Sequence, residues 1–243
     1  MTNNTSFNQI AQSYNTQMGN DGDFTHKHSI DPKLYEMIGD LNGKIIYDIG
    51  CGNGYLDKNL IKVGADKIYA SDISLDLIDL AKADSPQGIE YFVASGEDFN
   101  YFNQSFNETF DLVISNMAIH YIADFEKLIS GVKRLLKPGG KFIFTVAHPI
   151  DDLRLASEKN ILTQDEIKSI MAKYLKPYEH NVKWGDMPLT IQKRPFSFYV
   201  NQINKRGFLL EKMYEMPKLK LNEDGSIIDT QIPAYFGMSF VKG

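Results

Sequence analysis

Residues 44–54 read KIIYDIGCGNG, a short apolar run that leads into three glycines at every second position. The run at 44–49 predicts a buried β-strand, and the apolar stripe of Leu56, Leu60 and Val63 after the glycines predicts a helix. Glycines between a strand and a helix let the backbone turn sharply and approach a ligand, while the helix N-terminus offers unpaired N–H groups. The stretch therefore predicts a ligand-binding loop at the start of an α/β fold.

The alternation of strand and helix continues outward from this loop. Further strand-like runs lie at 67–71, 89–94, 110–115 and 141–147. The clearest helical stripe follows Asp124, a predicted N-cap, and ends at Lys137-Pro138-Gly139-Gly140. Because continuous apolar runs suit strands buried on both faces, the order β-α-β-α-β-α-β-α-β predicts a doubly wound, mostly parallel sheet. Its ligand is expected at the carboxyl ends of the strands.

The pattern of apolar and polar residues divides one predicted domain into four regions. The third region, residues 151–204, lacks a clear strand run and is rich in aromatic residues, so it is interpreted as a helical insertion on the substrate side. The fourth contains the strand-like runs 208–214 and 234–241 with no helical stripe between them, which predicts an antiparallel pair at the sheet edge. The regions are an N-terminal helical cap at 1–43, a cofactor-binding core at 44–150, the insertion at 151–204 and the edge strands at 205–243.

Composition narrows the class of partner. A 243-residue chain with 43% hydrophobic residues and a net charge of -5 is an ordinary globular protein without the basic footprint that nucleic-acid binding needs. Cys51 is the only cysteine and the five histidines have no zinc-ligand spacing, so no metal site is predicted. Neither a leader sequence nor a membrane-length apolar stretch is recognisable. The sequence thus predicts a cytoplasmic protein without a membrane or nucleic-acid partner.

The spacing of the loop distinguishes two cofactor classes. A carboxylate that suits a ribose, Asp72, follows the second predicted strand, 18 residues past Gly54. A dinucleotide loop counted from Gly50 and Gly52 requires a small residue at position 55, but the chain has the bulky Tyr55, which disfavours a nicotinamide-dependent oxidoreductase. Asp48 would repel a pyrophosphate and suits a cationic ligand such as S-adenosylmethionine.

At this point the sequence resembles the class I S-adenosylmethionine-dependent methyltransferases, in particular the small-molecule branch with methyltransferase domains of types 11 and 25. Four motifs carry the resemblance, in family order: DIGCGNG at 48–54, ASDIS at 70–74, FDLVISNMAIHYI at 110–122 and LLKPGGKFIFTVAHP at 135–149. The resemblance implies a seven-stranded, Rossmann-like sheet whose final strand is antiparallel. It also implies S-adenosylmethionine as cofactor and S-adenosylhomocysteine as product.

The resemblance further assigns cofactor-binding roles to individual residues. At the methionine end it implies that Asp48 holds the amino group, that Gly50 and Gly52 line the chain, and that the backbone of Asn116 reaches the amine. At the other end it implies that Asp72 binds the ribose and that Ile73 packs on the adenine. Ser95 stands where the family usually has an aspartate. The resemblance implies that Ser95 and Gly96 contact the edge of the adenine, with Glu97 or Asp98 as substitutes for the missing aspartate. The remaining assignments are Cys51 within the loop, as a small side chain rather than a catalytic thiol, and Tyr14 and His26 in an N-terminal segment that closes over the cofactor.

The reaction implied is transfer of a methyl group to an O, N, C or S atom of a small molecule, with a catalytically inactive, cofactor-binding regulatory protein as the alternative. If the acceptor must lose a proton, His120, His148 or His26 is a candidate base. A structural role is the competing interpretation of His120, as a capping or partly buried residue, and of His148, in the turn before Pro149. Arg194 is interpreted as a solvated surface residue, with a substrate clamp as the alternative.

Overall fold

The computed structural model describes residues 5–151, 153, 163–184 and 187–243. Its strands are β1 (Ile45–Ile49), β2 (Lys67–Asp72), β3 (Ile89–Val93), β4 (Phe110–Asn116), β5 (Leu136–Ala147), β6 (Tyr178–Trp184), β7 (Met187–Lys193), β8 (Phe208–Leu221) and β9 (Ile227–Lys242). Its helices are α1 (Thr5–Met18), α2 (Asp31–Ile38), α3 (Tyr55–Lys62), α4 (Leu75–Ala83), α5 (Phe125–Leu135), α6 (Gln164–Tyr174) and α7 (Phe196–Asn204), and a π-helical turn at His26–Ile30 precedes α2.

Seven strands form one sheet in the order β3-β2-β1-β4-β5-β9-β8. The pairs β1–β2, β2–β3, β1–β4 and β4–β5 are parallel, whereas β9 runs antiparallel to both β5 and β8. The predicted doubly wound sheet with an antiparallel final strand is confirmed. The strand order reverses at β1, between β2 and β4, and such a reversal opens a crevice at the carboxyl ends of the strands.

The two faces of the sheet carry separate cores because side chains alternate along each buried strand. On β4, Val113 faces a core that includes α5 and α7, while Leu112 and Ile114 face a core that includes α2, α3 and α4. The helix α5 begins at its predicted N-cap, where the Asp124 carboxylate accepts a hydrogen bond from the N–H of Lys127. At the start of α4 the Ser74 hydroxyl likewise accepts one from the N–H of Leu77. These caps satisfy N–H groups that the first helical turn leaves unpaired.

Two sequence predictions are wrong. The helical insertion predicted at 151–204 contains the antiparallel hairpin β6–β7 between α6 and α7. The strand β7 alternates buried and more exposed side chains, and β6 has no buried side chain, so neither leaves a continuous apolar run. The predicted helix between β3 and β4 is absent from the described residues there, which contain only a 3₁₀ turn at Gln104–Phe106. Within the described ranges no helix is long and apolar enough to cross a membrane.

Candidate functional site

A cavity opens at the carboxyl ends of β1 to β4, where the sheet topology predicts a ligand. Its outer wall is aromatic: Phe7 and Tyr14 come from α1, Tyr121 follows β4, and Trp184 ends β6. Eleven of the fourteen predicted site residues line this cavity, namely Tyr14, His26, Gly50, Gly52, Asp72, Ile73, Ser95, Gly96, Glu97, Asn116 and His120. The other three, Asp48, Cys51 and His148, lie outside its lining.

The glycine loop after β1 forms the floor of the cavity. Hydrogen bonds to the neighbouring strand β2 hold it in place. The N–H groups of Gly50 and Cys51 both donate to the carbonyl of Ser71, at 2.7 and 3.0 Å. Gly50 has a φ of 79°, and a Cβ added there would lie 2.3 Å from the Cβ of Ala118. Glycine is therefore required at this turn, and the backbone is left open for close approach by a ligand.

Asp72 presents an oriented carboxylate to the cavity. Its Oδ2 accepts a hydrogen bond from the N–H of Gly52 at 3.0 Å, and its Oδ1 accepts one from the N–H of Ser74 at 2.9 Å. Burial raises its pKa, while these backbone donors oppose the rise. Each oxygen keeps a further lone pair, so the carboxylate can accept two hydroxyl groups of a ribose.

Asp48 lies beneath the loop rather than on the cavity wall. It is 2% exposed, and its Oδ1 has no hydrogen-bond partner among the described residues. The neighbouring carboxyl of Asp57 is fully buried as well. Burial raises the pKa of Asp48 to about 7, and burial together with the charge of Asp48 raises the pKa of Asp57. An unpaired carboxylate behind the loop fits the cationic amino group of S-adenosylmethionine, which would offset its desolvation.

Asn116 is held by polar residues below the cavity. Its Nδ2 donates to Asp31 at 3.2 Å and to the hydroxyl of Tyr55 at 3.0 Å, and its Oδ1 accepts from the hydroxyl of Thr145. The hydroxyl of Tyr55 also donates to Asp31 at 3.2 Å. Asp31 and Thr145 were missed by sequence reasoning, because neither belongs to a local motif. The network fixes the end of β4 where the methionine end of a cofactor is expected.

The residues predicted for the adenine edge divide into two groups. Gly96 lies against the wall, since a Cβ there would be 2.4 Å from Ile122, and the hydroxyl of Ser95 accepts from the N–H of Glu97 at 3.2 Å. Glu97 in turn accepts a hydrogen bond from the N–H of Asp124 at 2.8 Å, which orients its carboxylate. Asp98 is outside the cavity lining and accepts from the N–H of Asn100 at 2.9 Å.

The cavity contains two of the three predicted histidines. His120 is 6% exposed, its Nδ1 has no partner within the described part of the chain, and burial lowers its pKa to about 3, assisted by Lys193 and Arg194. His120 is therefore neutral and a poor base at physiological pH. His148 lies elsewhere: its Nε2 is 2.9 Å from Glu215, and its Nδ1 accepts from the N–H of Ile150 at 3.3 Å.

The structure contradicts both interpretations of Arg194. The residue is not a solvated surface residue, and it does not line the cavity as a substrate clamp would. Its side chain is buried, and the guanidinium carbon lies 5.2 Å from the ring centroid of Phe125 and 5.4 Å from that of Phe198. The guanidinium donates to three backbone carbonyls, those of Ile119 at 3.3 Å, Ile122 at 2.6 Å and Ala123 at 3.2 Å. Arg194 thus fixes the segment after β4 that carries His120. Cys51 is buried with a raised pKa, so its thiol stays protonated.

Comparison with known proteins agrees with this geometry. Residues 47–144 match a family described as a methyltransferase domain. An uncharacterised protein of Haemophilus influenzae is 26% identical over 195 residues, 76% of this chain and 74% of that protein. A ubiquinone biosynthesis O-methyltransferase of Hydrogenovibrio crunogenus is 30% identical over 145 residues, 57% of each chain, so this chain spans little more than half of that relative. Human mitochondrial arginine-hydroxylase NDUFAF5 is 28% identical over 48% of this chain and 33% of its own length.

The fold has close structural counterparts. A crystal structure described as a putative S-adenosylmethionine-dependent methyltransferase from Listeria monocytogenes superposes with a TM-score of 0.69 at 23% identity, covering 87% of this chain and 97% of that one. The matching domain, the sheet order and the open glycine loop beside Asp72 agree with one another. Residues 47–144 thus match a methyltransferase domain, in a chain whose fold is that of solved S-adenosylmethionine-dependent methyltransferases.

Proposed function

We propose that the protein transfers a methyl group from S-adenosylmethionine to a nucleophilic atom of a small-molecule acceptor. The observation that carries this proposal is that one cavity combines the cofactor-type residues Gly50, Gly52 and Asp72 with His26 and His120. When bound, S-adenosylmethionine supplies a methyl group already activated by its sulfonium. The protein therefore needs to position the acceptor, an effect worth up to about 7–11 kcal/mol.

The cofactor would be held at three points. Asp72 is placed to accept the ribose hydroxyls, and the open backbone at Gly50 and Gly52 borders the methionine chain. The Asp48 carboxyl lies behind the loop, outside the cavity lining, and in its ionised form would attract the amino group through its charge. Phe7, Tyr14, Tyr121 and Trp184 line the cavity, and their rings would shield bound reactants from water.

The wall chemistry supports a small, uncharged acceptor. Among the lining residues that the structure describes there is no lysine or arginine to pair with a phosphate or carboxylate. Most of the outer wall is aromatic or aliphatic, as in pockets for small organic ligands. The similarity to a ubiquinone biosynthesis O-methyltransferase supports the same class of acceptor. Because a mitochondrial arginine-hydroxylase shares the core as well, the decisive measurement is methyl transfer itself.

Calorimetric titration and a labelling assay test the proposal in turn. Purified protein is titrated with S-adenosylmethionine, S-adenosylhomocysteine and NAD, and we expect saturable binding of the first two and none of NAD. The protein is then incubated with methyl-labelled S-adenosylmethionine and a size-filtered metabolite extract. We expect label in the small-molecule fraction, and none with Asp72→Ala. Binding without any transfer would instead favour a regulatory, cofactor-binding protein, and label in protein or RNA would contradict a small acceptor.

A further inference from the structure

A second carboxylate–histidine pair lies in the segment between α1 and α2. The Oδ1 of Asp23 is 2.8 Å from the Nδ1 of His26 and also accepts a hydrogen bond from the backbone N–H of His26 at 2.9 Å. The other carboxylate oxygen accepts from the side-chain amide of Gln17 at 2.9 Å. The Asp23 and His26 side chains are only 17% and 12% exposed. Both oxygens of Asp23 are thus engaged, and the imidazole is held in one orientation.

This orientation gives His26 the geometry of a base. When Asp23 accepts the proton on Nδ1, the lone pair of the neutral ring is on Nε2. The ring packs edge-on against Tyr55, with 5.8 Å between centroids, and His26 lines the cavity. Nε2 is consequently the nitrogen available to an acceptor, in the arrangement that orients the histidine of hydrolytic triads.

Two carboxyl groups act on His26, those of Asp23 and Asp31. Burial alone would raise the pKa of Asp23, but hydrogen bonds from His26 and Gln17 outweigh it and hold that pKa well below its usual range. Asp31, on the adjacent helix, also acts electrostatically on His26, although burial raises its own pKa. The other titratable group against the ring is the phenol of Tyr55. Beside His120, by contrast, the charged groups are the cations Lys193 and Arg194, which add to the effect of burial in lowering its pKa.

We propose that Asp23 and His26 form the base that activates the acceptor, and that the acceptor carries a weakly acidic hydroxyl on an aromatic ring. His26 would touch the acceptor and is assigned as the catalytic residue, whereas Asp23 acts through it as a positioning residue. The O–H bond breaks, the proton moves to Nε2 of His26, and the oxygen keeps the electron pair with which it attacks the methyl group. This inference rests on the proposed function, because it requires the cofactor to occupy the same cavity.

The aromatic part of the assignment comes from the cavity wall. Phe7 and Tyr121 meet edge to face at 5.0 Å between centroids, and Tyr14 and Trp184 meet at 5.8 Å. Aromatic pairs of this kind favour a flat aromatic partner in edge or offset contact. A hydroxyl nucleophile needs a base at neutral pH, and the pair of Asp23 and His26 can supply one.

The test uses 4-nitrophenol, whose phenolate form is coloured. Protein is loaded with sinefungin, a stable cofactor analogue that keeps a positive charge in place of the methylsulfonium, and bound 4-nitrophenol is titrated with acid while its absorption is followed. We expect ionisation at lower pH in the wild type than in His26→Phe, with Asp23→Asn between them. His28→Phe, an exposed histidine on the same turn, is the matched control and should behave as the wild type. With any phenol that is methylated, His26→Phe should lower kcat about 10²- to 10⁴-fold.

Several outcomes would overturn the assignment. Failure of 4-nitrophenol to bind would exclude the aromatic hydroxyl class, and equal ionisation in His26→Phe and His28→Phe would exclude the base. Loss of S-adenosylmethionine affinity in His26→Phe, measured by calorimetry, would make His26 a cofactor ligand instead. If the wild type itself binds no S-adenosylmethionine, the proposed function fails before any phenol is added. Asp23→Asn, with thermal unfolding as a check of folding, provides a second variant should His26→Phe not fold.

Discussion

At the scale of single residues, Asp72 connects the loop, the helix and the ligand. Its two oxygens hold the N–H groups of Gly52 and Ser74. Asp72→Ala removes these charge-assisted hydrogen bonds and the acceptor for the ribose, and each such bond is worth roughly 1.5–3 kcal/mol. We therefore expect S-adenosylmethionine affinity to fall at least about 100-fold in calorimetry. Asp76→Ala, on the exposed side of α4, is the control, and equal affinities of the two variants would contradict the assignment.

The pair of Asp48 and Asp57 makes a prediction about pH. The pKa of Asp48 is about 7 in the folded protein, against about 3.9 for an unperturbed aspartate. Between these values the folded chain holds a proton that the unfolded chain has lost, so the free energy of unfolding falls as pH rises through this window. Asp57→Asn removes one of the two buried carboxyls. We expect the variant to be more stable than the wild type near pH 7, with a difference that shrinks toward about pH 4.

Urea unfolding across this pH range measures the difference. Asp66→Asn, at an exposed position, is the matched control and should give a difference that is small at every pH. A stability difference for Asp57→Asn that does not change with pH would show that the two carboxyls do not share a proton.

At the scale of elements, Arg194 joins the end of the β6–β7 hairpin to the segment after β4. Its guanidinium donates to the carbonyls of Ile119, Ile122 and Ala123. Lysine keeps the charge but lacks the planar fork, so Arg194→Lys should leave at least one buried carbonyl without a donor. We expect a loss of roughly 1.5–3 kcal/mol in the free energy of unfolding, measured by urea denaturation. Arg206→Lys, which changes a partly exposed arginine, should cost less, and equal midpoints would contradict this role.

An element or residue can be predicted from the sequence when the pattern that marks it is local in the chain. The core strands are predictable because burial on both faces leaves continuous apolar runs. The strand β7 is not predictable by that criterion, because Leu189 and Ile191 alternate with exposed residues. The glycine loop and Asp72 follow from local spacing. Arg194 does not, since its carbonyl partner Ile119 lies 75 residues away and any residue type supplies a carbonyl. Asp23 is local to His26, but the chain order alone does not reveal that the pair faces the cavity.

At the scale of the whole molecule, the cavity is closed by elements from distant parts of the chain. The helix α1 is tied to the glycine loop, because the side-chain amide of Asn53 donates to Asn15 at 2.9 Å and to the carbonyl of Gly19 at 3.1 Å. The hairpin meets the same helix where Trp184 packs against Tyr14. A ligand in the cavity would therefore contact the N-terminal helix, the sheet and the hairpin together, which couples cofactor binding to the outer wall.

This closure can be followed with the intrinsic fluorescence of the protein, because Trp184 is the only tryptophan in the chain and lines the cavity beside Tyr14. We expect S-adenosylhomocysteine to change the tryptophan emission in a saturable way, with the same dissociation constant as in calorimetry. Asp72→Ala should abolish the change at equal ligand concentration, whereas Asp76→Ala should retain it. Ligand binding in calorimetry without any change in emission would mean that the hairpin does not form part of the occupied site.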